Sequence, residues 1–370
     1  MFNSTRPKSW ETRSPTRIIS AEYGLINSLS RYVGDQILLI TSRSHVLSGV
    51  ISDFQNFLQS KTYKLISDIS PNPTASEISH TCASLNSERW DTVVAIGGGS
   101  VIDTAKIVAL YANPNPPPSR IELLTPESAE NMRRHCRLVV VPTTAGTGSE
   151  VTQFATVWDD IKNKKHSIDS PELFPDIAIL DPSLLKSMPP DLALFSCLDA
   201  TAHCLETLWN RNRTTESESL ARDGIALISA YFLSSHGSIR DIENARNLQT
   251  AATFGGLAIS ISRTALSHSI SYPLTSHLKI PHGLAVGFSL VAIFENLDEE
   301  SRSYVENGQS LQKLIFALRH LNLGAQILKF ASRQQIFDLI PEMLTSERSA
   351  NFIQTIDGEL VKRIITLSLE

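Results

Sequence analysis

The feature that most constrains the fold is an alternation of strand and helix patterns over the first half of the chain. Short apolar runs occur at QILLIT (36–41), YKLISDIS, DTVVAIGGGS, RLVVVPTTAGTGSE and PDIAILDP. The first three are followed by helical patterns, and the fourth runs into a loop of glycine and threonine. Such runs, bounded by glycine or proline, are typical of strands buried on both faces. The pattern predicts a largely parallel sheet with helices on both of its faces.

From about Ser183 the chain changes character, because strand signals fade and long segments of helical periodicity take over. The change falls in LDPSLLKSMPPD, whose paired prolines are Pro189 and Pro190. We expect an α/β domain over residues 1–183 and an all-α domain over residues 184–370. Within the first domain, helices are expected in PNPTASEISHTCASLNSE and VIDTAKIVALYA, and the proline-rich ANPNPPPS interrupts regular structure.

Composition excludes several classes of protein. The 370 residues include 33 basic and 38 acidic side chains, and the formal net charge of −5 does not favour a nucleic-acid or anionic-membrane partner. The polar start MFNSTRPKSWETRSPTR lacks the apolar core of a secretory signal. The sequence also contains no run of about 18 apolar residues, so we expect no membrane span. The four cysteines form no CxxC pair. We therefore expect a cytoplasmic protein.

Two loops rich in glycine and hydroxyl side chains follow predicted strands. In AIGGGSVIDTAK a strand meets a helix at residues 97–99, where the backbone can approach a phosphate and helix amides attract negative charge. This is not the GxGxxG fingerprint, and a tight turn explains it equally well. The second loop, PTTAGTGSEVT, offers the hydroxyls of Thr143, Thr144, Thr147 and Ser149. Both loops would meet at the carboxyl edge of a parallel sheet, where such folds bind ligands.

Four residues in the second half form a candidate metal site. Asp199 and His203 stand four apart in CLDATAHCLETLWN, so both would lie on one face of a helix. His268 and His282 follow in HSISYPLTSHLKIPH. Three imidazoles and one carboxylate suit a divalent transition metal such as iron(II) or zinc. Taken singly, each of these residues is more often solvated or structural.

Together, GGGSVIDTAK, PTTAGTGSEVT, the Asp199/His203 pair and the His268/His282 pair resemble the iron-containing (group III) alcohol dehydrogenases, from about Thr16 onward. The resemblance implies a Rossmann-like domain, a helical domain, and a cleft that takes NAD(P), metal and substrate. It implies hydride transfer between a nicotinamide and a metal-polarised carbonyl. The segment from His268 to Ala285 looks closest to the phosphonoacetaldehyde reductases, so we expect reduction of phosphonoacetaldehyde to 2-hydroxyethylphosphonate.

The resemblance also assigns roles residue by residue. The metal ligands would be Asp199, His203, His268 and His282. The pyrophosphate would lie on Gly98, Gly99 and Ser100, and the rest of the cofactor would be lined by Asp103, Thr143, Thr144, Thr147, Lys165 and Leu180. Many family members have a further histidine where this chain has Tyr272, so the proton route is assigned to Tyr272 or to His277. A solvated loop residue is the simpler interpretation of His277.

Ser42 and Arg43, which follow QILLIT, bear on the choice between NADH and NADPH. Relatives that prefer NAD typically have an aspartate at the position of Ser42. Without that charge a 2′-phosphate is not repelled, and Arg43 could pair with it. The sequence therefore predicts use of NADPH at least as well as NADH, unless Arg43 is only a solvated loop residue.

A phosphonate substrate needs fixed cationic groups near its carbonyl. Arg263, five residues before His268, would lie about a turn and a half of helix away from that ligand. Lys279 is the second candidate, and Arg211 or Arg213 is the third. Each of them singly is more simply a surface charge on an enzyme for neutral aldehydes.

Other functions stay open from the sequence alone. One is a general small-aldehyde or alcohol dehydrogenase of the same family. Another is non-redox chemistry of the dehydroquinate synthase type, which uses NAD and zinc, and a third is a metal-binding protein without catalysis. The expected partners are a small aldehyde or alcohol and a second copy of the chain in a homodimer, with no nucleic acid and no membrane.

Overall fold

The computed structural model describes residues 14–21, 24–85, 88–112, 116–125, 132–162, 164–234, 238–344 and 347–370. By contact, the chain separates into two compact units. We call Ser14–Thr144 with Ser149–Ser187 the sheet unit, and Ala145–Gly148 with Met188–Glu370 the helical unit. Two segments with sequence predictions, residues 1–13 of the polar N-terminus and residues 113–115 of the proline-rich break, lie outside the described residues.

The sheet unit is built on parallel strands. Its described strands are β1 (Arg17–Ser20), β2 (Gln36–Thr41), β3 (Thr62–Ile66), β4 (Thr92–Gly97), β5 (Arg137–Pro142), β6 (Phe154–Asp159), β7 (Lys164–Asp169) and β8 (Ile177–Leu180). Six of these strands form one parallel sheet in the order β1-β8-β5-β4-β2-β3. The apolar runs that form β2, β4 and β5 lie at its centre. The predicted parallel sheet is therefore confirmed.

Three of these strands are not among the strands that the sequence patterns predict. β1 has four residues and pairs in parallel with β8, with Arg17 opposite Ile177. β6 and β7 form a separate antiparallel hairpin, with Phe154 opposite Asp169. The residues of β6 alternate between half-buried and buried positions. Such a strand lacks the continuous apolar run that marks a strand covered on both faces.

Both faces of the sheet are buried, which follows from the twofold periodicity of strands. On one face of the sheet, Leu38 of β2 and Val93 of β4 belong to a hydrophobic cluster that also contains Ile78 of the helix Ala75–Ala83. The opposite face places Leu39 and Val94 in a second cluster. Burying one such aliphatic side chain stabilises the fold by roughly 1.5–3 kcal/mol. The loops at the ends of the strands therefore rest on a rigid support.

Helices flank the sheet, and they include those that the sequence predicts in PNPTASEISHTCASLNSE and VIDTAKIVALYA. In the sheet unit they are α1 (Leu25–Leu29), α2 (Arg43–Leu47), α3 (Ser52–Leu58), α4 (Ala75–Ala83), α5 (Gly99–Tyr111) and α6 (Arg120–Leu123). α4 begins with a capping box in which Thr74 and Glu77 exchange backbone-to-side-chain hydrogen bonds of 3.2 and 2.8 Å. The expected helices after PNPT and after the glycine loop are both present.

α5 also fixes the segment that leads into β6. The Nζ of Lys106, which is fully buried, donates to the carbonyl oxygens of Thr152 and Phe154 at 2.8 and 2.7 Å. One turn earlier, the carboxylate of Asp103 accepts from Ser149 Oγ at 2.5 Å and from the amide of Thr156 at 2.9 Å. Burial lowers the pKa of Lys106 to about 8, although two nearby carboxylates oppose that shift.

The helical unit confirms the predicted all-α character of the second half. Its described helices are α7 (Pro190–Leu208), α8 (Thr215–Leu233), α9 (Ile242–Ser262), α10 (Leu266–Leu278), α11 (His282–Gly287), α12 (Leu290–Glu295), α13 (Glu299–Val305), α14 (Gln309–Arg319), α15 (Leu323–Ile327), α16 (Arg333–Asp338), α17 (Ile340–Leu344) and α18 (Gly358–Ser368). No helix that the structure describes is both long and apolar enough to cross a membrane.

Two glycines allow close backbone packing in the helical unit. A Cβ on Gly283, in the first turn of α11, would lie 1.9 Å from the carbonyl oxygen of Phe195 on α7. Gly148 has a φ of +61°, and a Cβ there would lie 2.4 Å from the Cα of Gly256 on α9. Only glycine fits either position without a shift of the backbone. The start of α11 can therefore lie directly against α7.

Candidate metal centre and cofactor loops

The centre of the candidate site is the carboxylate of Asp199 on α7. Asp199 and His203 are four residues apart on this helix, and both are buried, at 5% and 4% exposure. Their side chains lie on one face, with His203 Nε2 3.6 Å from Asp199 Oδ1. The spacing in the sequence therefore brings these two side chains together.

Two further histidines reach the same oxygen from other helices. The Nε2 of His268, in the first turn of α10, lies 3.5 Å from Asp199 Oδ1. The Nε2 of His282, the first residue of α11, lies 3.7 Å from it. The ligand atoms of Asp199, His268 and His282 all fall within 4.8 Å of one another. His203 joins them through Asp199 and through its ring, which stacks on that of His268 with centroids 5.0 Å apart.

The compact group of ligand atoms comprises Asp199, His268 and His282, and the distances from Asp199 Oδ1 to all three imidazole nitrogens fit a divalent metal ion. Asp199 Oδ1 is buried and has no hydrogen-bond partner among the described residues, which is costly for a carboxylate oxygen unless something else satisfies it. Ligands about 2.1 Å from a tetrahedral ion lie roughly 3.4 Å apart, close to the 3.5–3.7 Å found between this oxygen and the three Nε2 atoms. Nitrogen and oxygen donors suit iron(II) or zinc equally well.

Glu206 supports the site from the side away from Asp199. Its carboxylate is fully buried and lies 2.6 Å from Nδ1 of His268. It also accepts hydrogen bonds from Ser267 Oγ at 2.6 Å and from the amides of Ala265 and His268 at 2.9 and 3.1 Å. A histidine ligand usually donates its second ring nitrogen to such a carboxylate.

Sequence analysis did not identify Glu206, although a signal for it exists. Asp199, His203 and Glu206 occupy positions i, i+4 and i+7 of α7, which is the periodicity of one helix face. A buried glutamate on the same face as two candidate ligands is a natural partner for an imidazole. The identity of that imidazole depends on the tertiary fold.

Burial and neighbouring charges shift the pKa values of Asp199, His203 and His268. Burial raises the pKa of Asp199, but the histidines around it, led by His203, lower it by more, so the net shift is downward. Burial lowers the pKa of His203 to about 4. For His268 burial also lowers the pKa, but Glu206 and Asp199 outweigh it and raise the value to about 10. The carboxylates stay ionised and attract positive charge to this point, which a divalent ion supplies.

Tyr272 and Arg348 extend the cluster. The Tyr272 ring, one turn after His268 on α10, stacks on His282 at 20° with centroids 6.0 Å apart, and it meets the His268 ring edge-on at 6.4 Å. Arg348 places its Cζ 4.5 Å from the centroid of the same ring. Sequence analysis assigned Tyr272 to the proton route but gave Arg348 no role. His277 lies on the surface, with its Nε2 2.9 Å from the carboxylate of Glu342.

The structure corrects the helical argument made for Arg263. Arg263 is the C-cap of α9, with a φ of +68°, and α10 starts only at Leu266. Arg263 and His268 therefore lie on different elements, and their separation does not follow helical spacing. The reason is the left-handed backbone at residue 263, which ends α9.

The other cationic candidates have identified contacts. Lys279, the left-handed C-cap of α10, is exposed and donates to the carbonyl oxygen of Ser276 at 2.8 Å. Arg211 donates through Nε to the carbonyl of Phe352, and Arg213 lies over the ring of Tyr304 at 4.8 Å. The contact of Lys279 is thus at the end of its own helix, and those of Arg211 and Arg213 are with residues later in the chain.

The sheet unit positions the predicted cofactor residues at a reversal of strand order. From β2 the chain continues to β3 on one side, and from β4 it passes through α5 to β5 on the other. The carboxyl ends of two such strands border the crevice in which open α/β sheets bind ligands. Ser42 follows β2, and the glycines at 97–99 follow β4.

The glycine loop presents bare backbone at the start of α5. Gly98 is the N-cap of α5, and a Cβ there would come within 3.2 Å of Cγ2 and Oγ1 of Thr144. The amide of Thr143 donates to the carbonyl of Gly97 at 3.0 Å, so the two predicted loops are linked. Ser42 caps α2, its Oγ accepting from the amide of His45 at 3.4 Å, and Arg43 is exposed.

The remaining predicted cofactor residues differ in how they are placed. Asp103 has both carboxylate oxygens engaged within the sheet unit, as described above. Ser100 Oγ accepts from the amide of Asn72 at 3.2 Å. Leu180 is buried at the end of β8, Lys165 is half-buried on β7, and Thr147 is an exposed residue of the helical unit.

Known proteins resemble this chain over nearly its whole length. Two family models match: iron-containing alcohol dehydrogenase at residues 15–182, and the C-terminal part of the Fe-containing alcohol dehydrogenase family at residues 193–352. A solved iron-containing alcohol dehydrogenase of Thermotoga maritima superposes with a TM-score of 0.82 and 25% identity, covering 97% of this chain and 99% of that one.

Two curated relatives add detail. A phosphonoacetaldehyde reductase of Streptomyces viridochromogenes is 35% identical over 220 residues, which are 59% of this chain and 56% of that protein. A probable alcohol dehydrogenase, EutG, of Salmonella typhimurium is 34% identical over 213 residues, which are 58% of this chain and 53% of that protein. The matched region thus spans little more than half of either relative. With both family models matching in chain order, this chain belongs to the iron-containing alcohol dehydrogenase family.

Proposed function

We propose that the protein is a metal-dependent, NAD(P)H-linked alcohol dehydrogenase or aldehyde reductase. The observation that carries the proposal is the buried Asp199 oxygen, which faces three imidazole nitrogens at 3.5–3.7 Å in a chain of this family. Asp199, His203, His268 and His282 would hold the metal. This family match favours redox chemistry over the synthase-type alternative.

The reaction requires a hydride and a proton. When bound, the metal supplies a Lewis acid that polarises the carbonyl, and the nicotinamide supplies the hydride. In the proposed reduction the aldehyde carbon would gain a hydride from the bound cofactor and its oxygen would gain a proton, which gives the alcohol and the oxidised cofactor.

Glu206 holds one proton at a defined atom. With Glu206 ionised, Nδ1 of His268 donates to it across 2.6 Å, so Nε2, which lies 3.5 Å from Asp199 Oδ1, is the ring nitrogen that would bind the metal. Tyr272, whose ring stacks on His282, is the side chain that we assign to deliver the proton to the product oxygen. His277 stays the second candidate for this role.

We assign the cofactor contacts by starting from the glycine loop. The amides at the start of α5 would bind the pyrophosphate at Gly98, Gly99 and Ser100, because the N-terminus of a helix attracts anions. Ser42 and Arg43 would face the adenosine ribose, where the absence of a carboxylate allows a 2′-phosphate. We therefore propose that NADPH is used at least as well as NADH. Asp103, Thr143, Thr144, Thr147, Lys165 and Leu180 remain predicted cofactor contacts.

For the substrate we propose phosphonoacetaldehyde, reduced to 2-hydroxyethylphosphonate. Support comes from the relative of that name at 35% identity and from the sequence between His268 and Ala285. A general small-aldehyde enzyme is the second candidate, because EutG is similar to the same extent. Arg263 and Lys279 remain predicted anion contacts, and the homodimer and the cytoplasmic location remain predictions.

One panel of assays tests this function. The metal-loaded protein is given phosphonoacetaldehyde, propionaldehyde and acetaldehyde with NADH or NADPH, and kcat/KM is measured for each pair. We expect phosphonoacetaldehyde to exceed propionaldehyde by about 100-fold or more, because unpaired cationic groups penalise a neutral substrate. Equal values would leave a general aldehyde reductase, and no turnover of any aldehyde would contradict redox chemistry.

A further inference from the structure

A fixed cation lies one aromatic ring away from the candidate metal ligands. Arg348 holds its guanidinium carbon 4.5 Å from the centre of the Tyr272 ring. That ring stacks on His282 and meets the edge of His268. Arg348 comes from the segment before a 3₁₀ turn at Ser349–Asn351, far along the chain from α10. The fold therefore places a positive charge one ring away from two of the candidate metal ligands.

The distance suits a short substrate with an anionic end. The guanidinium carbon lies 4.5 Å from the Tyr272 centroid and that centroid 6.0 Å from His282, so Arg348 is at most about 10.5 Å from the His282 ring. From a carbonyl oxygen through two carbons and a phosphorus to a phosphonate oxygen is roughly 5 Å. A hydrogen bond to nitrogen adds about 2.9 Å. Together these lengths make roughly 8 Å from the carbonyl oxygen to a guanidinium nitrogen, which is of the same order as the separation of Arg348 from His282.

The contact with Tyr272 favours this use of the guanidinium. The negative face of the phenol ring attracts the cation and restricts its position. The N–H groups of a guanidinium lie in its own plane, in a fork that matches two oxygens of a phosphonate or carboxylate. Ordering the cation before the substrate arrives lowers the entropy cost of binding.

Three other cations of the helical unit, which the sequence named as candidates, contact different groups. Lys279 donates to a carbonyl at the end of its own helix, and Arg213 lies over Tyr304. Arg211 donates to the carbonyl of Phe352. Of these residues and Arg348, Arg348 is the one whose contact ring also touches two of the candidate ligands.

We propose that Arg348, held over Tyr272, binds the anionic group of the substrate and selects short aldehydes with a phosphonate one carbon from the carbonyl. The proposal rests on the proposed function, because it places the carbonyl beside His268 and His282. Arg348 is a specificity residue that contacts the end of the substrate away from the reacting carbon.

The first test compares two aldehydes in matched variants. Arg348→Gln should lower kcat/KM for phosphonoacetaldehyde by about 100-fold while changing that for propionaldehyde less than about threefold. Arg348→Lys should restore part of the loss, because it keeps the charge but not the fork. Arg246→Gln, which removes an exposed arginine paired with Glu243 on α9, should change neither value. Equal losses for both aldehydes in Arg348→Gln would overturn the proposal.

The second test does not depend on the identity of the substrate. Ethylphosphonate, which has no aldehyde, is titrated calorimetrically into the metal-loaded parent protein and into Arg348→Gln, and metal content is measured in both. We expect the Kd to rise at least about tenfold in the variant at unchanged metal content.

The two tests separate failure of the proposed substrate from failure of this inference. If the parent prefers neither aldehyde but ethylphosphonate binding still depends on Arg348, the anion site stands and phosphonoacetaldehyde is the wrong substrate. If ethylphosphonate binds the parent and Arg348→Gln equally, or does not bind the parent, the role of Arg348 is wrong.

Discussion

The candidate metal centre and the glycine loop are built in opposite ways. The metal centre consists of side chains that are mostly buried, and its central oxygen lies 3.5–3.7 Å from three imidazole nitrogens. The glycine loop consists of half-buried backbone at a helix start, with Gly98 against Thr144. The metal centre depends on the side chains that it contains, whereas the glycine loop depends on the lack of a side chain at Gly98. Substitutions should therefore damage them in different ways.

The largest effect is expected at the metal centre. His282→Ala should reduce bound metal from roughly one ion per chain to less than about a tenth and kcat/KM by about 1,000-fold. His282 is preferable to His268 because its side chain is 29% exposed, whereas loss of His268 would leave Glu206 buried without its imidazole. Metal analysis and kinetics measure both effects.

The exposed His320 provides the control for this prediction. His320→Ala, at the end of α14, should keep full metal content and full activity. Retained metal and activity in His282→Ala would contradict the ligand assignment.

Loss of the Tyr272 hydroxyl should be the next largest effect. Tyr272→Phe keeps the ring that contacts His282 and Arg348 but removes the proton donor. We expect kcat to fall about 100-fold at neutral pH, with metal content unchanged. His277→Ala is the matched variant for the alternative proton route, and the two kcat–pH profiles decide between them. A normal profile in Tyr272→Phe with a depressed one in His277→Ala would reverse the assignment.

Removal of the charge behind His268 should weaken the centre without deleting a ligand. Glu206→Gln preserves the shape of the side chain but no longer holds an ionised partner 2.6 Å from Nδ1. Metal affinity should fall about 10- to 100-fold, as measured by competition with a chelator. Glu342→Gln alters a glutamate–histidine pair of the same kind on the surface and should have no effect. Equal affinities in the two variants would show that Glu206 serves only the fold.

A methyl group should be enough to disturb the glycine loop. In Gly98→Ala the new Cβ would meet two atoms of Thr144 at 3.2 Å, so the loop must shift by a few tenths of an ångström. We expect the KM for NADPH to rise about tenfold while metal content stays constant. Thr144→Ser, which removes one of the two atoms, should restore part of the affinity in the double variant. Loss of metal in Gly98→Ala would contradict the independence of the two sites.

The smallest effect is expected at Ser42. Ser42→Asp keeps an N-cap for α2, because aspartate caps helices as well as serine does. The added carboxylate should repel a 2′-phosphate and shift the ratio of kcat/KM for NADH over NADPH about tenfold toward NADH. Ser42→Asn, which caps without the charge, is the control. An unchanged ratio would place the adenosine ribose elsewhere.

The same contrast explains what sequence reasoning could achieve. β2, β4 and β5 could be predicted because their apolar runs are continuous. β6 alternates and β7 is largely half-buried, so neither strand has such a run. The four candidate ligands could be named from spacing and family resemblance. Glu206 could have been found from helix periodicity. Arg348 could not, because only the tertiary fold brings it to Tyr272.

The buried amine of Lys106 has a consequence for following this protein in solution. Its Nζ is enclosed by three oxygen acceptors from Thr152 and Phe154, so an acylating reagent cannot reach it while α5 keeps its contacts. The rate at which Lys106 is labelled then reports how often this helix opens. A nucleotide bound at the start of α5 should slow that labelling, so mass spectrometry would report cofactor occupancy without any turnover.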